Sequence, residues 1–422
     1  MSSNFNYLDL FAGAGGLSEG FIRAGYNPIA HVEMDQAACY TLRTRMAYHH
    51  LKDTGNLDQY ADYLKGKIDR QEFYDLVSDE IIGSVINVEI SDETLRDIFC
   101  QIDNVLGNQE INLIIGGPPC QAYSYIGRAR CPNRMKGDPR NDLYLLYGKF
   151  LKKYKPKYFM FENVPGLLSA TNENGEFYLD LMQTLFRKEY GYETELKTLN
   201  AKNHGVPQNR KRIILFGRKK NSIKFYPEPD NQELEVSVTE ILSDLPALKA
   251  GEGTIGPCEI NSYDGTWLYE VGIRNDELPV TLHQARTHNK RDREIYKMTV
   301  ELWNATEGRL RYNELPERLQ THKNKNSFLN RFKVVAGDLP YCHTIVAHIA
   351  MDGHYYIHPD INQNRSLTPR EAARLQTFPD DYYFESCSGK PARTPAYRQI
   401  GNAVPVLLAE KIAKKLKENW EQ

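Results

Sequence analysis

Four apolar residues, Ile111 to Ile115 broken only by Asn112, run straight into Gly116-Gly117-Pro118-Pro119-Cys120. A short apolar run bounded by glycine reads as a buried strand, and ligands of open α/β sheets gather at the carboxyl ends of such strands. Cys120 is therefore placed as a nucleophile candidate, set against the alternative of an ordinary buried thiol after a turn. The same strand-then-turn pattern opens the chain. Tyr7 to Phe11 reads as a first strand, Ala12 to Gly16 as a glycine-rich turn, and Leu17 to Ala24 as a helix ended by Gly25. Asn27 to Val32 forms a second strand ending at Glu33, about 20 residues on, where an acid can take ribose hydroxyls. An adenosine-containing cofactor is the simplest reading. The turn is GAGG rather than GxGxxG, so NAD, S-adenosylmethionine and a purely structural turn all stay open.

Two further strands aim reactive side chains at the same rim. Lys157 to Phe161 ends at Glu162, and Gln208-Asn209-Arg210-Lys211-Arg212 leads into Ile213 to Gly217. Period-two alternation puts Arg210 and Arg212 on one face, so two cations, a carboxyl group and a thiol are expected to share a site. Between Cys120 and the helix Leu143 to Tyr154, the loop from Ala122 to Arg140 exceeds the usual connection length, which favours a lid. Its cations, Arg128, Arg130, Arg134, Lys136 and Arg140, suggest that it covers something carrying phosphate.

Six stretches taken in order, LDLFAGAGGLSEG (8 to 20), GGPPCQAYS (116 to 124), ENV (162 to 164), QNRKR (208 to 212), RSLTPREAARLQ (365 to 376) and QIGNAVP (399 to 405), closely resemble the ordered motifs of the DNA cytosine-5 methyltransferases. The resemblance spans nearly the whole chain. It implies a Rossmann-like α/β sheet with helices on both faces, plus a smaller mixed, β-containing target-recognition domain. The expected division is 1 to 218 for catalysis and cofactor, 219 to 397 for target recognition, and 398 to 422 returning to the first unit. It also implies S-adenosylmethionine as cofactor, without a metal. Phe11 would stack on adenine, Gly13, Gly15, Gly16 and Leu17 would lie near the methionine end, Glu33 would lie at the ribose, and Met34 would be a further cofactor contact. Asn87 stands where many relatives have Asp, and Pro118, Leu143, Asn402 and Val404 complete the pocket.

Cytosine C5 is a weak nucleophile, so addition at C6 is needed to push electron density onto it. By resemblance, Cys120 makes that bond as thiolate, Glu162 steadies charge at N3, Arg212 donates to O2, and Arg210 steadies the lid or a phosphate. The base must leave the duplex stack. Ser124, Ile126, Arg128 and Arg140 in the lid and Arg370 and Arg374 further on are the expected DNA contacts, with Ile126 entering the vacated space. Thr368-Pro369-Arg370-Glu371 is a strong helix start with a capping box. Cations from His283 to Arg293 and from His322 to Lys333 mark the target-recognition stretch, whereas the paired His49 and His50 read as solvated.

At 422 residues the chain exceeds what one core usually supports. Its net charge of −2 excludes indiscriminate coating of nucleic acid while allowing a local basic face. Seven cysteines without CxxC spacing support neither a disulfide framework nor zinc. No signal peptide or membrane span is visible, so a cytoplasmic, prokaryotic, monomeric enzyme acting on double-stranded DNA, alongside a restriction endonuclease, is the expectation. The alternatives are an RNA cytosine-5 methyltransferase, a non-catalytic DNA-binding relative and a dehydrogenase.

Overall fold

The computed structural model describes residues 5–119, 139–220, 222–325 and 329–420. Seven strands form one sheet: β1 (Asn6–Leu10), β2 (Asn27–Glu33), β3 (Val85–Asn87), β4 (Leu113–Gly116), β5 (Tyr158–Asn163), β6 (Tyr192–Asn200) and β7 (Lys211–Lys219). Their spatial order is β3-β2-β1-β4-β5-β7-β6. Neighbours pair in parallel from β3 to β5, and β7 runs antiparallel to both β5 and β6. The order turns back between β1 and β4, so the crevice beyond the carboxyl ends of those two strands is the topological switch point, where open α/β sheets take ligands.

Because the sheet is covered on both faces, its central strands read as apolar runs rather than alternating ones. One core layer contains Leu8, Leu10, Ile114, Phe159 and Phe161, and the opposite layer contains Tyr7, Leu113, Ile115, Tyr158 and Met160. Helix α1 (Gly16–Arg23) and the last helix (Val406–Trp420) pack together in that second layer, with Leu17 and Phe21 meeting Leu408, Ile412 and Leu416. The amphipathic spacing of the last helix thus returns the chain end to the first strand's neighbourhood.

The segment between β2 and β3 is helical, led by α2 (Gln36–Asp53). Its aromatic residues Tyr48, Tyr60, Tyr63, Phe73 and Tyr74 form a separate cluster with Tyr383. His49 is not simply solvated, since its Nε2 lies 2.9 Å from Oε2 of buried Glu19. Among the described residues from 220 to 397, regular β structure is limited to two-residue strands, Gly253–Thr254 against His283–Gln284, and Cys342–His343, which pairs with Gln208–Asn209 earlier in the chain. The longest regular element there is the helix Lys290–Thr306, whose buried face packs with Phe332, Val334 and Ile357. No helix among the described residues is long and apolar enough to cross a membrane.

Candidate active site

The turn after β1 is built around left-handed backbone. Phe11 has φ 57°, Gly13 56° and Gly15 80°, and Gly15 caps α1 without a side chain. A non-glycine at Gly15 would carry both the left-handed penalty and a Cβ against Leu42 and Tyr382. The turn is tied across the crevice to β2: Gly13 N donates to Glu33 Oε2 at 2.8 Å, and Asp35 N donates to Glu33 Oε1 at 2.7 Å. Burial raises the Glu33 carboxyl above its usual range, opposed by those amide hydrogen bonds. Gly13 itself faces open space. The Asn87 amide nitrogen donates to the carbonyls of Glu33 and Met34 at 3.2 and 3.1 Å, clipping the ends of β2 and β3 together. Met34 is exposed beside them.

Asn402 and Val404 arrive from the far end of the sequence. Asn402 ends the helix Arg393–Asn402 and is exposed, while the Val404 carbonyl lies 2.5 Å from where a Cβ on Gly16 would stand. Leu17 and Val404 are both buried there. Pro118 is buried and Leu143 half-buried, Leu143 opening the helix Leu143–Tyr154. Hydrogen bonds and close approach thus join the turn after β1 to Glu33 and to Val404, and Asn87 to the end of β2.

At the neighbouring strand ends, Arg212 Nε meets Glu162 Oε1 at 2.6 Å, both side chains being about nine-tenths buried. Antiparallel pairing of β5 with β7 sets Glu162 opposite Ile214, which brings the start of β7 to the carboxyl rim. The Gly-Gly-Pro-Pro stretch lies across this pair. A Cβ on Gly117 would fall 2.6 Å from Glu162 Oε2, and Asn163 Nδ2 donates to the Pro118 carbonyl at 3.3 Å. Glycine is thus required at 117 by close approach to the carboxylate. Cys120, Ser124, Ile126 and Arg128 lie outside the described residues, as does the side chain of Arg140.

Two expected DNA contacts are overturned, and Arg210 departs from the face expected for it. Arg210 does not share the rim with Arg212: it is fully buried, donating to the Ile345 carbonyl at 2.5 Å and the Gly401 carbonyl at 3.1 Å. Alternation fails there because Arg210 N bonds the Gln208 carbonyl, a tight turn separating Gln208–Asn209 from β7. Arg370 and Arg374 cannot reach DNA, since both are fully buried. Arg370 donates to the Thr281, Pro379 and Tyr382 carbonyls. Arg374 is held by Asp380 at 2.9 Å and by Asp244. The capping box of Thr368 and Glu371 is present, but the helix it starts (Pro369–Leu375) is buried on all sides.

Sequence reasoning passed over Asp9 and Tyr382. Asp9 is 1% exposed in β1, its Oδ2 has no hydrogen-bond partner among the described residues, and burial followed by the Glu33 charge pushes its carboxyl well up. An acid in an otherwise apolar strand was the available signal. Tyr382 reaches the turn from more than 360 positions away, and no local pattern marks it.

A profile of the C-5 cytosine-specific DNA methylase family matches residues 5–77 and 79–418. The chain is 40% identical to the type II methyltransferase M.Bpa9945I of Bacillus paralicheniformis, over 97% of this chain and 98% of that protein. It is 31% identical to the type II methyltransferase M.DdeI of Desulfomicrobium norvegicum, over 99% and 89%. In fold it resembles the Entamoeba histolytica methyltransferase EhMeth, with a TM-score of 0.56 at 13% identity over the whole of both chains. With the family matched from the first strand to the last helix, and with the crevice and the Glu162–Arg212 pair at one rim, the chain belongs to the C-5 cytosine-specific DNA methylase family and is a DNA cytosine-5 methyltransferase.

Proposed function

We propose that the protein methylates C5 of a cytosine turned out of duplex DNA, using S-adenosylmethionine and a transient bond between Cys120 and C6. The observation that carries this reading is the buried Glu162–Arg212 pair with Gly117 laid against it, three residues before Cys120 in the chain. The crevice residues fit the donor. Its sulfonium and ammonium charges match a crevice edged by the half-buried Glu33 carboxyl, with the buried Asp9 carboxyl in the adjoining strand, and Gly13 opens onto empty space. Glu33 would take the ribose, Asn87 and Met34 the adenine side with Phe11, and Gly15, Gly16, Leu17, Pro118, Leu143, Asn402 and Val404 the remainder. When bound, S-adenosylmethionine supplies an electrophilic methyl group.

The Cys120 thiolate adds to C6, and the C5–C6 electron pair moves onto C5. Glu162 shares a proton with N3 and Arg212 donates to O2, spreading the charge that addition creates. The C5 pair would then bond that methyl group, the former S–CH3 bonding pair remaining on the sulfur of S-adenosylhomocysteine, and loss of the proton on C5 re-forms the C5–C6 double bond and expels the Cys120 thiolate. The type II names of the relatives support work alongside a restriction endonuclease.

Duplex DNA containing 5-fluorocytosine, whose C5 carries no removable proton, tests the mechanism. A stable protein–DNA adduct is expected with wild type and none with Cys120→Ala. An active wild-type enzyme that forms no adduct overturns the covalent step. Incubation of labelled donor with duplex DNA and with tRNA tests the substrate, and label entering only tRNA overturns the DNA reading.

A further inference from the structure

Beyond the rim, Gln208–Asn209 pairs in parallel with Cys342–His343. A cavity of about 100 Å³ opens beside this pairing. Its walls include Asn209, Arg309, Lys333, Tyr341 and His343, and its floor is apolar, with Phe332 buried in it. None of its described lining residues is an aspartate or glutamate. Neither Arg309 nor Lys333 has a carboxylate within ion-pair distance among the described residues, although the chain carries 55 acidic residues and pairs most of its buried cations. Lys333 lies over the Tyr355 ring at 5.0 Å, and its ammonium is held below its usual range by burial and then by nearby Arg309. Two like charges face this cavity without a counterion, Lys333 half-buried and Arg309 exposed, and solvent screening leaves a modest cost in the unliganded protein. An anion entering it relieves that cost.

We propose that this cavity seats a backbone phosphate of the bound duplex, with Arg309 and Lys333 as its cations and the Asn209 amide as an additional donor. The placement follows the chain: Asn209 stands three residues before Arg212, so a phosphate here belongs to nucleotides flanking the flipped cytosine. Phosphate contacts set affinity and register and carry no sequence information. The seat is accordingly a register-setting element, separate from whatever reads the bases. Asp- and Glu-free lining distinguishes it from a larger open cavity that also touches Trp303, whose walls include Glu307, Asp338 and Asp360.

This inference rests on the duplex-DNA reading. The test is equilibrium binding of fluorescently labelled duplexes, one carrying the methylated site found by bisulfite sequencing and one scrambled, across a salt series. Wild type, Arg309→Gln, Lys333→Gln and Arg309→Lys are compared. Arg309→Gln and Lys333→Gln are expected to weaken both duplexes by the same factor, roughly tenfold, and to lower the slope of log affinity against log salt by about 0.9, one phosphate's worth. Arg309→Lys should keep the slope. S-adenosylhomocysteine affinity should be unchanged in every variant, which separates the effect from misfolding. An unchanged slope overturns the seat, and so does weakening confined to the methylated-site duplex, since that assigns base reading instead. A wild-type protein that shows no salt-dependent duplex binding fails the functional reading itself and removes the seat with it.

Discussion

The hydroxyl of Tyr382 donates to the carbonyl of Ala14 at 2.6 Å, joining a segment near the end of the chain to the glycine turn after the first strand. The tyrosine is itself enclosed. Arg45 lies over its ring at 4.8 Å and is held bidentately by Glu19 and by Asp381 at 2.7 Å. The helical segment after β2 grips the same strap: Tyr60 donates to the Asp381 carbonyl, Tyr63 to Glu385, and Arg70 to the Ser386 carbonyl. The backbone that frames the crevice is thus shaped from behind by residues that never line it.

Removing that one hydroxyl leaves the Ala14 carbonyl buried without its partner, at a cost of about 1 to 3 kcal/mol. Tyr382→Phe should therefore weaken S-adenosylhomocysteine binding, read by calorimetry, and raise KM for the methyl donor while kcat at saturation changes little. Unaltered product affinity would show that the turn holds its shape without the tether.

Glu162→Gln should keep the fold, since its amide oxygen still accepts from Arg212, and lose turnover by roughly 10² to 10⁴-fold, because it removes the acid at the rim. Single-turnover methyl transfer is the measurement. A loss confined to KM for DNA would assign Glu162 to binding instead.

Arg374 is bonded to Asp244 and Asp380 inside the protein. Arg374→Leu leaves two buried carboxylates uncompensated and should cost about 3 to 5 kcal/mol, seen as a large drop in Tm. The salt slope of DNA binding by whatever protein remains folded should match wild type, in contrast to the Lys333 variant.

His31 and His358 are buried and His343 is half-buried, and desolvation pulls each imidazole down to about 4. The unfolded chain, with histidines near 6.5, binds protons before the folded one does, so unfolding free energy rises with pH across this window. Stability from these groups is fully present above about pH 6.5 and is lost as pH falls toward 4. Urea midpoints measured from pH 7.5 to 4.5 should fall along that course, and a flat profile would show that these rings are not held neutral.

Gly20 sits where α1 crosses the last helix, and a Cβ there would stand 2.5 Å from Ala409 Cβ and from the Glu410 amide. Gly20→Ala should destabilise by about 1 to 3 kcal/mol through overpacking against backbone, despite alanine's better helix propensity. Thermal unfolding decides: a rise in Tm would mean that the two helices separate freely.

Local sequence determined the elements that position the crevice. Apolar runs and their glycine boundaries placed β1, β2, β4 and β5 within two or three residues of where they lie, because a central strand covered on both faces has no polar side to interrupt it. The same logic placed the helix Leu143–Tyr154 and the capped helix at Thr368. Glu162 and Arg212 were legible because each stands at the end of such a run. Tertiary structure alone decided where the other arginines went. Arg210, Arg370 and Arg374 look like surface cations in sequence, yet carbonyls and carboxylates from remote segments pull each one inside. Burial of a charge depends on partners that local pattern does not contain. For the same reason no pattern announced Tyr382, the Asp9 carboxyl or the cavity between Arg309 and Lys333, since each is defined by what the fold brings beside it.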